Sequence, residues 1–182
     1  MSTKATMREL ILRAKEGDTE AFGELYERYF TPVYRYIFLR LGNHEDAEDI
    51  AQKVFVKCFQ ALTRYTDQGK EPLNFFFTVA RTTIIDHWRG NKESVVEDID
   101  AFLEDAVDQK GSIEDSVEIN LVLGSVHSAL SELTVDQREA VILRVFQGYS
   151  SKEAAEIMNK SEQAIRQLQS RGLRVLRSKL QK

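Results

Sequence analysis

The sequence predicts an all-α protein of two small helical domains, and three observations carry that expectation. Glycine and proline are scarce, nine and two in 182 residues, and strand-like alternation is hard to find. Apolar residues instead recur at helical spacing over long stretches. Charge is partitioned along the chain. Glu93 to Glu118 holds ten acids and one base, whereas Lys160 to Lys182 holds seven bases and one acid. An acidic run without sustained periodicity has the composition of a flexible linker. The expected division is therefore residues 1–92, a linker over 93–118, and residues 119–182.

The elements follow in order. A first helix is expected from about Thr6 to Glu16, ending at Gly17. Asp18 caps a second that reaches about Leu41, with Thr31-Pro32 expected to kink or break it. Gly42-Asn43 ends that element, and Asn43 caps the next, about His44 to Thr63. Here Ala47, Ile50, Ala51, Val54, Phe55, Cys58, Ala61 and Leu62 follow the helical period, and Asp46, Glu48, Asp49, Gln52, Lys53 and Lys57 form the outer face. A polar loop, Tyr65 to Pro72, leads into an aromatic-rich helix from about Leu73 to Arg89. Within it Phe76, Val79, Ala80 and Ile84 are assigned to the core. After the acidic stretch come four helices, about Glu114 to Leu130, Val135 to Phe146, Ser151 to Met158 and Glu162 to Leu180. Thr134 with Gln137 and Ser150 with Glu153 have the capping-box spacing.

The last two of these read as helix, tight turn, helix. Asn159 tolerates the left-handed conformation needed just past a helix end, and Ser161 is a good N-cap. The final helix has an apolar stripe, Ile165, Leu168, Gly172, Leu173 and Leu176. Its other face carries Gln163, Arg166, Gln167, Ser170, Arg171 and Arg174. A basic, amide-bearing face on the second helix of a helix-turn-helix suits the DNA major groove. The net charge of −4 does not exclude this, because it averages a basic end with an acidic middle.

Together these segments resemble bacterial RNA polymerase sigma factors of the extracytoplasmic-function type. Asp46-Ala-Glu-Asp-Ile-Ala-Gln-Lys-Val-Phe55 resembles the core-binding helix of that family, with Lys53 where the family usually has an acid. Leu73 to Arg89 is similar to its promoter-melting helix, with Ala80-Arg81, Asp86 and Arg89 in matching places. Leu133 to Glu139, the turn Phe146 to Ser150 and the final helix-turn-helix resemble sigma region four. The resemblance implies a factor that binds the polymerase core and directs promoter-specific initiation. Asp46, Asp49, Gln52 and Lys53 would then meet the polymerase. Tyr65, Phe75, Arg81, Asp86, His87 and Arg89 would meet the melted non-template strand of the minus-ten element. Arg166, Gln167, Ser170, Arg171 and Arg174 would meet duplex DNA at the minus-thirty-five element. An anti-sigma factor is a further implied partner. The acidic segment is then either a plain tether or a strand-like mimic directed at the polymerase's RNA path.

Blander readings stand beside these. A charged helix face is usually a solvated one, aromatic clusters are usually core, and a helix-turn-helix also occurs in stand-alone regulators whose first domain senses a ligand or binds a protein. Catalysis and cofactors are not expected. His44, His87 and His127 lack metal-site spacing, Cys58 is alone and on an apolar stripe, and no phosphate-binding glycine loop occurs. With no signal peptide and no window resembling a membrane span, a cytoplasmic protein is expected.

Overall fold

In the computed structural model, residues 6–62, 64, 73–90 and 117–180 are described. They contain no strand. The helices are α1 (Met7–Lys15), α2 (Thr19–Leu41), α3 (His44–Leu62), α4 (Leu73–Trp88), α5 (Val117–Ser131), α6 (Val135–Val141), α7 (Ser151–Met158) and α8 (Glu162–Leu180). The expected linker and Tyr65 lie outside the described residues. Two compact units form. The first combines α1, α2 as far as Tyr34, α3 from Glu48, and α4. The second combines Arg35–Ala47 with α5 to α8.

Local chemistry sets the ends of the elements. Thr6 and Glu9 form a capping box at α1. The chain leaves that helix through Gly17 at φ +92°, which a residue with a Cβ adopts only at a cost. The Asp18 carboxylate accepts the Ala21 amide at 3.1 Å and lies 2.7 Å from the Arg13 guanidinium. These two partners hold its pKa below the ordinary value, the amide first. Asn43 accepts the Glu45 amide at 2.9 Å and opens α3.

Pro32 does not break α2, which runs unbroken through it. Proline removes one backbone bond and costs about 3 kcal/mol in an exposed helix interior. On either side of it Phe22, Leu25, Tyr29 and Val33 are buried. At about 1.5–3 kcal/mol per buried side chain, packing outweighs that cost. The same unit carries an aromatic core. The Tyr29 and Phe55 rings lie 5.2 and 5.3 Å from that of Phe76, and Phe22 meets Phe59 edge-on at 4.8 Å. Phe76, Ala80 and Ile84 are fully buried as expected, Val79 only partly. Cys58 is buried too, and loss of solvent pushes its thiol pKa well up.

In the second unit the capping boxes at Thr134 and Ser150 both form. The tract expected as one helix from Val135 to Phe146 is helical throughout, but its second half, Ile142–Phe146, widens into a π-helical turn closed by the Gln147 amide on the Ile142 carbonyl at 3.0 Å. Arg144 beside it donates to the Tyr149 carbonyl and, at 3.1 Å, to Gln169. Asn159 takes the left-handed conformation at φ 52°, and Ser161 accepts the Ala164 amide at 3.2 Å, so α7 turns tightly into α8.

Gly172 lets α8 approach α6 closely. A Cβ there would lie 2.9 Å from a Val141 methyl and 3.5 Å from Leu133. An alanine at this position gains about 1 kcal/mol of helix propensity, which offsets part of the crowding. A branched side chain has no such compensation. Gly172→Val is expected to destabilise the second unit by about 1–3 kcal/mol, measured as a lowered midpoint in urea. An unchanged midpoint would contradict the close packing.

Candidate nucleic-acid and polymerase interfaces

Three surfaces carry the residues singled out from sequence. On α3, Asp49 and Gln52 are exposed, while Asp46 and Lys53 are partly buried. Asp49 is ion-paired with Lys53 one turn on, at 2.6 Å. The lysine that departs from the family pattern thus partly neutralises the carboxylate it follows. An exposed i,i+4 pair contributes only about 0.3–0.5 kcal/mol, so an incoming partner breaks it at little cost.

On α4, a rotation of about 100° per residue places Phe75, Thr82, Asp86 and Arg89 on one face, with Arg81 and His87 to either side. Phe75 and Arg81 are partly buried, whereas His87, Trp88 and Arg89 are exposed. Asp86 lies 3.9 Å from Lys57 on α3. Of the aromatic cluster, Phe76 and Phe77 are fully buried and unavailable for stacking on bases. Phe75 packs edge-on against Phe76, with ring centroids 5.8 Å apart, and keeps part of its surface open. Trp88, 44% exposed, is the large aromatic most open to a base along this helix.

On α8 all five predicted side chains, Arg166, Gln167, Ser170, Arg171 and Arg174, are exposed. Helical geometry gathers them into an arc of about 140°. Arg166 pairs with Glu162 at 2.7 Å, another exposed i,i+4 contact. Ile165 and Gly172 are buried and Leu168 and Leu176 partly so, but Leu173, expected on the apolar stripe, is 39% exposed. The reason is angular: it lies about 20° from Arg166, at the edge of the basic face. The face is presented by a helix whose entry is fixed by the Asn159 turn and whose back is seated by Gly172.

The arrangement is therefore a helix-turn-helix with a basic second helix in one unit, and an acidic helix beside an aromatic-basic one in the other. Comparison with known proteins agrees with it. Sigma-70 region 2 matches residues 25–94, and Sigma-70, region 4 matches residues 123–176. The ECF RNA polymerase sigma factor ShbA of Streptomyces griseus is 30% identical over 177 residues, covering 93% of this chain and 92% of ShbA. The chain belongs to the extracytoplasmic-function sigma factors. The ECF RNA polymerase sigma factor BldN of Streptomyces coelicolor is 37% identical over 175 residues; the match covers 96% of this sigma factor and 66% of the length of BldN. The solved structure of CnrH in complex with the cytosolic domain of CnrY shares the fold, with a TM-score of 0.73 at 22% identity over 96% of each chain. Sigma factors give the polymerase core its promoter specificity and are not enzymes. Among the described residues no group of histidine, cysteine or carboxylate side chains could hold a metal ion, and no described helix is long and apolar enough to cross a membrane.

One group of residues in the second unit was not legible from sequence. Arg40 and Glu139, 2% and 1% exposed, form an ion pair. The Tyr36 hydroxyl donates to the other carboxylate oxygen of Glu139 and accepts from Arg40 at 3.2 Å. Next to them the Arg138 guanidinium donates to the carbonyls of Leu130, Ser131 and Arg40, at 3.0, 3.1 and 3.2 Å, and so closes the ends of both α5 and α2. Burial, and then the nearby Arg40 charge, lower its pKa. His127 donates through Nδ1 to the Leu39 carbonyl at 3.1 Å and covers Gly42, where a Cβ would come within 2.1 Å of its ring.

Proposed function

We propose that this sigma factor divides its work among the three surfaces. The α3 face of Asp46, Asp49, Gln52 and Lys53 docks on the polymerase core, where opposite charge steers association more than it adds affinity. The α4 face, with Phe75, Arg81, Asp86, His87 and Arg89, and Tyr65 from the preceding segment, captures unpaired bases of the minus-ten element. Stacking supplies about 1–3 kcal/mol per base. The α8 face reads the minus-thirty-five duplex, with arginine forks on guanine and Gln167 on adenine. Residues 1–92 and 119–182 carry these tasks, with 93–118 as the connection. The protein acts in the cytoplasm, without a cofactor or catalytic activity of its own, and an anti-sigma factor is its regulatory partner class.

The observation that supports this reading best is that every predicted α8 side chain is solvent-exposed while the helix is held from behind. A stand-alone regulator would have the same α8 but no use for the α3 face, so that face gives the test. Asp49→Arg is expected to weaken binding to core polymerase while shifting stability by no more than about 0.5 kcal/mol, because the site is exposed. Titration of the labelled full chain with core enzyme measures it. Unchanged affinity would remove α3 from the polymerase interface.

A further inference from the structure

We propose that Arg144 is a positioning residue for promoter reading. It braces α8 against rolling about its own axis, and so sets the sequence discrimination of the upstream-reading face without itself touching DNA. The proposal rests on the reading of α8 given above. Arg144 stands in the middle of the π-helical turn Ile142–Phe146 and is half-buried. Its guanidinium forks between two other segments. Nη1 donates to the Tyr149 carbonyl, immediately before the Ser150 cap of α7, and Nε donates to Gln169 Oε1 on α8 at 3.1 Å. The turn beneath it is tied down by the Gln147 amide on the Ile142 carbonyl and the Tyr149 amide on the Leu143 carbonyl, both at 3.0 Å. The Ser150 hydroxyl and then its amide hold the Glu153 carboxyl below its ordinary pKa, and the Arg144 charge adds to them. One side chain thus joins the end of one helix, the start of the next and the middle of the recognition helix. Single π-turns of this kind are frequent at functional sites.

What the brace controls is rotation. Gly172 brings α8 close to α6 but presents no side chain that interlocks there. Lys160, 3.0 Å from Asp136, fixes where the helix begins. The apolar stripe behind α8 attracts without direction. Gln169 is placed to supply the direction. At 100° per residue it lies about 60° from Gly172 and about 60° from Arg166, on the line between the seat of the helix and its reading face. Side-chain tips lie about 6 Å from the axis, so a roll of about 10° carries an arginine fork about 1 Å. A binding constellation has to be held within about 0.5 Å of its productive geometry. A phosphate contact is a charge attraction that falls off slowly with distance and survives such a shift. Loss of the brace therefore degrades base reading before it degrades overall binding. Lysine is no substitute at this position, because it keeps the charge but lacks the rigid planar fork that reaches two acceptors at once.

The test measures binding of the holoenzyme, carrying the full chain, to a pool of randomised upstream duplexes. Wild type is compared with Arg144→Lys, Gln169→Ala and the double variant, alongside a thermal melt that verifies folding. Each single variant is expected to lower the ratio of preferred to random-sequence affinity about tenfold, within what one arginine–guanine fork contributes. Affinity for random sequence should stay at the wild-type level. The double variant should lose no more than either single one, because both changes remove the same interaction. If Arg144→Lys does not fold, Gln169→Ala decides the matter. Wild-type discrimination in a folded variant overturns the brace; in Arg144→Lys it shows that charge alone suffices, as for a direct phosphate contact. Equal loss on all sequences overturns it too, and so do additive losses in the double variant, since the two residues then act separately. Wild-type holoenzyme that shows no preference among the duplexes overturns the reading of α8 itself, and the brace with it.

Discussion

Phe76→Ala is expected to destabilise the first unit by about 3–5 kcal/mol, while its neighbour Phe75→Ala leaves the fold nearly intact and weakens capture of melted DNA. The two residues are adjacent in sequence and opposite in role. Phe76 is fully buried between the rings of Tyr29 and Phe55, so truncation removes apolar burial and leaves a cavity. Phe75 keeps part of its ring open on the face that it shares with Thr82, Asp86 and Arg89. Losing one stacking platform costs about 1–3 kcal/mol of single-strand binding. Urea denaturation followed by tryptophan fluorescence gives the first effect. Binding of the holoenzyme to a single-stranded minus-ten oligonucleotide gives the second. Equal loss of stability in both variants would return Phe75 to the core and remove it from the DNA surface.

Arg171→Ala is expected to cost about 1–3 kcal/mol on one preferred upstream sequence and to relax discrimination at one or two base pairs. Arg177→Ala, at an exposed position near the end of α8, should weaken all sequences about equally and flatten the salt dependence by roughly one unit, as loss of one phosphate contact does. Holoenzyme binding to randomised upstream duplexes at two salt concentrations separates these effects. Uniform loss in both variants would make the basic end an electrostatic anchor with no reading function.

The local grammar of this chain was highly legible. Capping boxes at Thr134 and Ser150, the left-handed Asn159 and the glycine stops depend on a few neighbouring residues, and each formed as expected. So did the stripe of α3, buried at seven of its eight expected positions and partly so at Ala61, because eight apolar positions at one period leave little choice of face. Errors arose where tertiary packing overrides local preference. Pro32 stays helical because the aromatic core around it outweighs one lost hydrogen bond. Phe77, outside the four residues assigned to the α4 core from sequence, is fully buried as well, since the helix buries a wider arc than a narrow stripe. Leu173 is exposed because its angular position lies beside Arg166, a fact that counting by threes and fours obscures.

The Arg40–Glu139 pair was invisible for a different reason. Its partners are 99 positions apart, and nothing in either local sequence distinguishes a buried charge from a solvated one. The only available signal was an arginine on an otherwise apolar tract, Tyr36-Ile-Phe-Leu-Arg40, which as a buried charge demands a partner from elsewhere in the chain. The same long-range contact explains why Arg35–Ala47 packs with the C-terminal helices, whereas the sequence division places it in the first domain.

The account is tested most directly by run-off transcription with purified core polymerase, using a pool of promoter fragments and the full-length protein. It predicts specific initiation at a defined subset of promoters that share one upstream and one minus-ten sequence, lost on Asp49→Arg and altered in upstream preference on Arg171→Ala. Sequence-specific binding of the free protein to duplex DNA, with no core-dependent initiation at any promoter, would contradict it and favour a stand-alone regulator.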